Sequence, residues 1–219
     1  MKRYSKAYTA AVVVAVMALV LSGAIAVPLL WRGFYYLHIT ALDLPGQTNW
    51  SVIEIREAFD EMMDYCMWGK PFGTGVMKWS EEGYAHFADC AKLFRLDLTV
   101  LAVSVGALLV LWLLRRKGWR TVTVMGRGPL FWAGCVEAVS FAVIAGLAAL
   151  DFDRAFVLFH SLFFPGKTNW IFNWRTDEII LALPQVFFRN CGILIVGVLL
   201  ICCCVLMVLD LKKNKKQAA

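Results

Sequence analysis

Leu98–Leu114 reads LTVLAVSVGALLVLWLL, a run without a charge that is followed at once by Arg115, Arg116 and Lys117. A helix needs about 17–25 apolar residues to cross roughly 30 Å of hydrocarbon, and this run has that length without the alternation of a barrel strand. Tyr8–Leu30, Leu130–Leu150 and Cys191–Leu209 pass the same test, the last taken as a span from about residue 188. Backbone polar groups cannot be left unpaired in lipid, so all four are read as helices. Of the 219 residues 60% are hydrophobic and 17% charged, too few charges to cover a soluble surface. The expected fold is an all-α membrane protein, one domain over 1–219, with spans at about 8–30, 98–114, 130–150 and 188–209.

The cations give the orientation. Lys2, Arg3 and Lys6 precede the first run; Arg115, Arg116, Lys117, Arg120 and Arg127 follow the second; Lys212, Lys213, Lys215 and Lys216 end the chain. Four crossings put these three segments on one side, and the positive-inside rule makes that side the cytoplasm, with both termini. The net charge of +6 is then a topology and anionic-lipid signal rather than a sign of nucleic-acid binding. The first and third connections, about 31–97 and 151–187, fall on the other side and are expected to form an extracytoplasmic helical cap. Trp31–Arg95 alone carries six basic and nine acidic residues, too polar to span. Met1–Ala26 has the basic start and the Ala24-Ile25-Ala26 ending of a signal peptide, but its apolar run continues past that site, so it is read as an uncleaved anchor.

Within the first connection, Trp31 to Tyr36 forms an aromatic belt and His38 is read as an interfacial side chain. Ser51–Met67 has its apolar residues at helical spacing and acids on the other face, and Gly69, Pro71, Gly73 and Gly75 end it. In Lys78–Arg95, Ser80 reads as a cap, with Glu81 and Glu82 in the first turn of a helix that runs into the second span. Helical spacing places Glu82, His86 and Asp89 on one face, where a carboxylate fixes the tautomer of a histidine. Glu137 is the carboxylate deep in a span, expected to pair with an arginine or make a structural hydrogen bond. Cys66 and Cys90 lie together on the outer side, where an oxidising compartment would allow a disulfide; the other five cysteines read as small hydrophobes. Pro45-Gly46-Gln47-Thr48-Asn49-Trp50 and Pro165-Gly166-Lys167-Thr168-Asn169-Trp170 differ at one position, which makes an old duplication possible.

Chemistry concentrates in Phe156–Phe188, FVLFHSLFFPGKTNWIFNWRTDEIILALPQVFF. His160 stands there among Phe156, Phe159, Phe163 and Phe164, followed by Trp170, Asn173, Trp174, Arg175, Asp177 and Glu178. Thr176 reads as the cap of a short helix and Pro184 as its joint with the last span. No HExxH, clustered His/Cys spacing, GxSxG elbow or P-loop occurs, so neither a metal nor a cofactor is expected. What remains is acid/base chemistry by two outer histidines, His86 and His160, on a lipid-borne group.

SEEGYAHFADCAKLF (80–94) and the 156–188 stretch resemble the lipoprotein intramolecular transacylases, the Lit family of Gram-positive bacteria. That family's motif His-Met-x-Asp-Val-Lys appears as His86-Phe87-Ala88-Asp89-Cys90-Ala91, with Lys92 as the nearest lysine. Its second motif is kept through His160, Phe164, Trp170, Pro184, Phe187 and Phe188. The resemblance implies transfer of the sn-2 acyl chain of a diacylglyceryl-cysteine lipoprotein to the α-amine of the same cysteine, leaving a lyso-form lipoprotein. His160 would deprotonate the amine. His86, oriented by Asp89 or Glu82, would steady the oxyanion and protonate the leaving glyceryl oxygen, and the two histidines could exchange roles. Asn173 and Arg175 would support the site, and Phe156, Phe164, Trp170 and Phe188 would hold acyl chains. The partners implied are the lipoprotein substrate and membrane lipid, with the protein a monomer. The competing reading is a non-enzymatic bundle that binds haem, quinone or a partner subunit; haem needs facing ligands within the spans, and both histidines fall outside them. A second rival is another lipid-acting enzyme, an acyltransferase or hydrolase, against which the missing nucleophile motif argues.

Overall fold

The computed structural model describes residues 2–218, with side chains to Lys213. In chain order the elements are β1 (Arg3–Tyr4), α1 (Lys6–Leu30), α2 (Arg32–Ala41), α3 (Leu44–Gln47), α4 (Val52–Trp68), α5 (Glu81–Arg116), β2 (Trp119–Arg120), α6 (Pro129–Leu150), α7 (Phe152–Phe163), α8 (Ile179–Ala182) and α9 (Gln185–Ala218). Lys6–Leu30, Glu81–Arg116, Pro129–Leu150 and Gln185–Lys213 are long and apolar enough to cross a membrane. In α5 no charge falls between Asp97 and Arg115, so the stretch from Leu98 to Leu114 has none. That apolar stretch is the part of α5 read as spanning.

One compact unit comprises Met1–Ala26, Asp97–Leu147 and Ile193–Ala219. Its core is Ala24, Leu199 and Cys203, packed against Val20, Leu21, Ala138, Phe141 and Ile195 among others. At Gly134 a Cβ would stand 2.7 Å from the carbonyl oxygen of Cys203, so α6 and α9 pass at backbone contact, an approach that small residues permit between membrane helices. Glu137 is buried beside this contact and accepts a long hydrogen bond from the Cys203 thiol, 3.9 Å. Of the two partners expected for it, the structure supplies the structural hydrogen bond. β1 pairs in parallel with β2, Arg3 opposite Trp119, and Gly128 N donates to Asp210 at 2.9 Å. The basic N-terminus, the loop after α5 and the end of α9 thus meet at one end of this unit, as four crossings require.

The second unit comprises Val27–Leu96 and Ala148–Gly192. Here α4 starts on a capping box: Glu54 N donates to Ser51 Oγ at 3.3 Å and Ser51 N donates to Glu54 Oε2 at 2.7 Å. It stops at Gly69, whose φ of +71° is costly for any residue with a Cβ. Its apolar face packs on α2, where Tyr35 stacks on Phe59 with ring centroids 3.7 Å apart and donates its hydroxyl to Ala182 O at 2.8 Å. Its acidic face receives Arg32, which pairs with Asp60 and Asp64. His38 sits between the Phe34 carbonyl, 2.7 Å, and Asn190, 2.9 Å, so protein groups rather than headgroups or water satisfy this ring.

The disulfide and the duplication, both left open by the sequence, are not seen, and one expected cap is corrected. Cys66 and Cys90 are free thiols: Cys66 donates to Phe87 O at 3.7 Å, and Cys90 turns to His86. Thr176 does not cap α8, which begins after Glu178 with no side-chain cap, because the Thr176 hydroxyl and the Asp177 carboxylate bond to each other and elsewhere. The two Pro-Gly stretches differ in backbone. Leu44–Gln47 is helical after a left-handed Asp43, whereas Gly166 is itself left-handed at φ +72°. They share turn residues without sharing a fold.

Candidate active site

The site lies wholly in the second unit. Ser80 caps α5 through Gly83 N, 3.1 Å, and gives Asp177 two hydrogen bonds, from its N at 2.9 Å and its Oγ at 2.8 Å. Lys78 N donates to Glu178 Oε2 at 2.8 Å and Glu178 N returns a bond to Lys78 O at 3.0 Å. These bonds pin the stretch after α7 to the start of α5 and so bring its aromatic residues onto His86. Asp177 is buried, and removing it strands its donors. Asp177→Ala is expected to lower stability by about 2–4 kcal/mol, read as a fall in the thermal midpoint in detergent; an unchanged midpoint would mean that something else holds this stretch.

His86 on α5 and His160 on α7 are 6% and 7% exposed, with ring centroids 5.9 Å apart. Phe164 touches both, at 5.0 Å from His86 and 5.7 Å from His160. Phe172 lies edge-on to His86 at 5.4 Å, and Trp170 stacks on His160 at 4.6 Å. Phe156 lies 4.2 Å from His160 and is backed by Phe188 at 5.8 Å. The four residues assigned to the acyl chains therefore all gather at the His160 ring, Phe188 through Phe156.

The hydrogen bonds distinguish the rings. His160 Nδ1 is 2.7 Å from Phe156 O; a carbonyl only accepts, so Nδ1 carries the proton and Nε2 keeps its lone pair. His86 Nε2 is 3.4 Å from Cys90 Sγ, and its Nδ1 is buried without a partner. Burial holds the His86 imidazole down at about 4, helped by the nearby His160 ring and Lys167 and opposed by Asp89. Burial also lowers His160, against the bond to Phe156 that raises it. Both rings are neutral at pH 7.

No carboxylate among the described residues bonds to the His86 ring. Glu82 is exposed. Asp89, 8% exposed, is instead bonded by Lys167 at 2.5 Å, Lys92 at 3.0 Å and Asn169 Nδ2 at 3.5 Å. Burial alone would raise the Asp89 carboxyl; these donors overcome it and hold it at about 2. Asn169 Oδ1 is buried with no partner, and turning the amide over would set that oxygen against the carboxylate, so Asp89 fixes which way it faces. Asn173 makes a turn, accepting from Arg175 N at 3.1 Å, and Arg175 lies 4.8 Å over Trp174 on the surface. Neither reaches the histidines. A hollow of about 410 Å³ lined by Ser80, Glu82, Asn169, Phe172, Asn173 and Asp177 adjoins the pair through Phe172.

Sequence reasoning missed Cys90 and Lys167. Cys90 is one helical turn after His86, the same spacing that singled out Glu82 on the other side. Lys167 occupies the one position at which the two Pro-Gly stretches differ, so the comparison already isolated it.

The family model for lipoprotein intramolecular transacylase Lit matches residues 10–188. The chain belongs to the Lit family. It is accordingly an acyltransferase, a lipoprotein intramolecular transacylase integral to the membrane. Among solved structures, the membrane integral Lit from Bacillus cereus matches with a TM-score of 0.84 at 21% identity, over 97% of this chain and 96% of that one. Two structures of Bacillus cereus Lit with a histidine mutated to arginine or to alanine give 0.78 and 0.76, at 21% and 22% identity, over 97% and 96% of this chain and 94% of each of those. No curated protein matches. At these identities the structures speak for the fold.

Proposed function

We propose that this protein moves the sn-2 acyl chain of a diacylglyceryl-cysteine lipoprotein to the α-amine of the same cysteine, with His160 as general base. The observation that carries this is the pairing of two buried neutral imidazoles, one with a free lone pair at Nε2 and the other with an unpartnered Nδ1. Buried polar atoms in a folded protein nearly always have partners; a substrate that brings both an N–H and a developing oxyanion supplies what is lacking here. The neutral amine attacks the ester carbonyl, and His160 Nε2 takes the amine proton as the C–N bond forms. His86 stabilises the oxyanion from Nδ1, in the manner of an oxyanion hole. The intermediate then breaks its C–O bond, and the proton taken by His160 goes to the departing glyceryl oxygen. No proton is gained or lost overall. Because amine and ester belong to one molecule, proximity supplies much of the rate.

Phe156, Phe164 and Trp170 hold the transferred chain against the His160 ring. Val157, Leu158, Phe159, Leu162 and Phe163 are exposed on α7 while His160 is buried, so α7 presents an apolar side to lipid, through which a membrane-borne substrate enters. By the positive-inside argument the basic end of the first unit is cytoplasmic and the histidines act on the outer face of the cell membrane, in a monomer that binds no nucleic acid. Glu82, Asn173 and Arg175 line or border the approach rather than the chemistry, with Asn169 Oδ1 as an acceptor for the amine.

The test is mass spectrometry of the N-terminal lipopeptide of a reporter lipoprotein coexpressed in a host that makes only the diacylglyceryl form. Movement of one acyl chain from glycerol to amine at constant mass is expected. An unchanged diacylglyceryl peptide would overturn the reaction, and loss of one acyl mass would replace it with hydrolysis. The pH dependence follows from the same site. Both histidines are lowered, so each keeps its neutral form as pH falls below the ordinary histidine value and loses it only further into acid. The acid limb of kcat/KM should instead track the substrate amine, rising up to about pH 8. A limb centred between about pH 6 and 7 would mean that a histidine of ordinary basicity controls the rate.

A further inference from the structure

We propose that Cys90 is a positioning residue that fixes the proton of His86 on Nδ1. The proposal rests on the transacylation reading for its catalytic consequence, though not for its geometry. Cys90 lies one turn along α5 from His86, and its Sγ is 3.4 Å from His86 Nε2. A thiol is a weak donor and its sulfur a weak acceptor, whereas a neutral imidazole nitrogen is a strong acceptor. The favoured arrangement is S–H donating to Nε2. Burial pushes the Cys90 thiol up, so the proton stays on sulfur. Nε2 is then the acceptor and Nδ1 bears the ring proton.

Which nitrogen of a histidine is protonated is set by the bond that the other one makes. Elsewhere in this site that rule is met by a backbone carbonyl: Phe156 O, one turn before His160, holds the proton of that ring on Nδ1. Among the described residues His86 has no such carbonyl bond and no carboxylate. Cys90 is the group bonded to its ring, which is 6% exposed, and Nδ1 has no partner. The two anchors leave opposite faces for chemistry: a lone pair on His160 and an N–H on His86. Without the thiol, a neutral imidazole prefers its proton on Nε2, and His86 would present a lone pair where the oxyanion needs a donor. The thiol itself forms no bond to the acyl group in this proposal.

The experiment uses the full chain in detergent micelles with histidine labelled by ¹⁵N, since ring-nitrogen shifts report the tautomer, and His86→Asn identifies the His86 signals. In the unmodified protein His86 should show its proton on Nδ1; a proton on Nε2 would overturn the proposal without any variant. Cys90→Ala should move the proton to Nε2 and lower kcat for a diacylglyceryl lipopeptide about tenfold with KM unchanged, the bias that one net hydrogen bond gives to a tautomer pair. Cys90→Ser, whose hydroxyl also donates, should restore both. A purely packing role would leave the tautomer in place and would not distinguish Ser from Ala, and that result would also overturn the proposal. If Cys90→Ala does not fold, the tautomers of the unmodified and Cys90→Ser chains still decide it. Failure of the unmodified protein to transfer an acyl chain, with His86 in the Nδ1-protonated form, would remove the reaction and leave the positioning role standing.

Discussion

His160→Ala is expected to slow acyl transfer by about 100-fold or more, and His86→Ala by a similar factor. The two losses have different origins. Without His160 the intermediate has no group to take the amine proton within a buried aromatic site, where water is a poor substitute. Without His86 the oxyanion forms against Phe164 and Phe172 with no donor, in surroundings of low dielectric where one missing hydrogen bond costs most. Because the two rings serve one intermediate, the double variant should lose little more than the worse single one. Initial rates from lipopeptide mass spectrometry would show this. Near-normal rates in both single variants would sink the pair as the catalytic centre, and full additivity would mean that they act in separate steps.

Gly134→Leu should cost about 3 kcal/mol or more of stability. A Cβ at this position would meet the Cys203 carbonyl oxygen at 2.7 Å and the Met207 Cγ at 3.2 Å. The nearer atom is backbone, so it cannot rotate aside as a side-chain tip would; either α6 or α9 must move. Gly134→Ala is the sharper test of sign. Alanine gains up to about 1 kcal/mol over glycine in a helix interior, yet even its single methyl makes the 2.7 Å contact, so this variant too should melt lower than the parent. If Gly134→Leu melts with the parent protein, the backbones of α6 and α9 are not in contact.

The spans were legible because lipid imposes one demand, a long apolar run with internally paired backbone, and the sequence meets it four times. The cap at Ser80 and the joint at Pro184 were legible for a related reason: each is a local bond or a local steric rule. His160 announced itself as a titratable ring in an aromatic stretch. What stayed hidden is what joins distant segments. Asp89 was expected to serve His86, three residues away; its charge is met instead by Lys167, 78 positions along the chain. Asp177 looked like a helix-start acid, but Ser80 claims it across 97 positions. Periodicity can place a carboxylate on the right face of a helix, and it cannot say which distant cation approaches that face. Cys90 is a different kind of miss. Its spacing was plain, but thiols in apolar surroundings ordinarily only pack, so the residue was weighed as a disulfide half and not as a donor.

Trp170 lies against the His160 ring at an interplanar angle of 29°, and this bears on the moment when the base is no longer neutral. A buried imidazole that accepts a proton becomes a cation with little water to receive it. The face of an indole is the electron-rich side of its quadrupole, and a cation held against it is stabilised by about 0.5–2 kcal/mol, most where solvent is excluded. In the proposed reaction, burial keeps His160 uncharged before the amine attacks, and the indole would shelter the charge during the brief life of the intermediate. On the proposed mechanism Trp170 would thereby serve the transition state as well as the wall that holds the acyl chain.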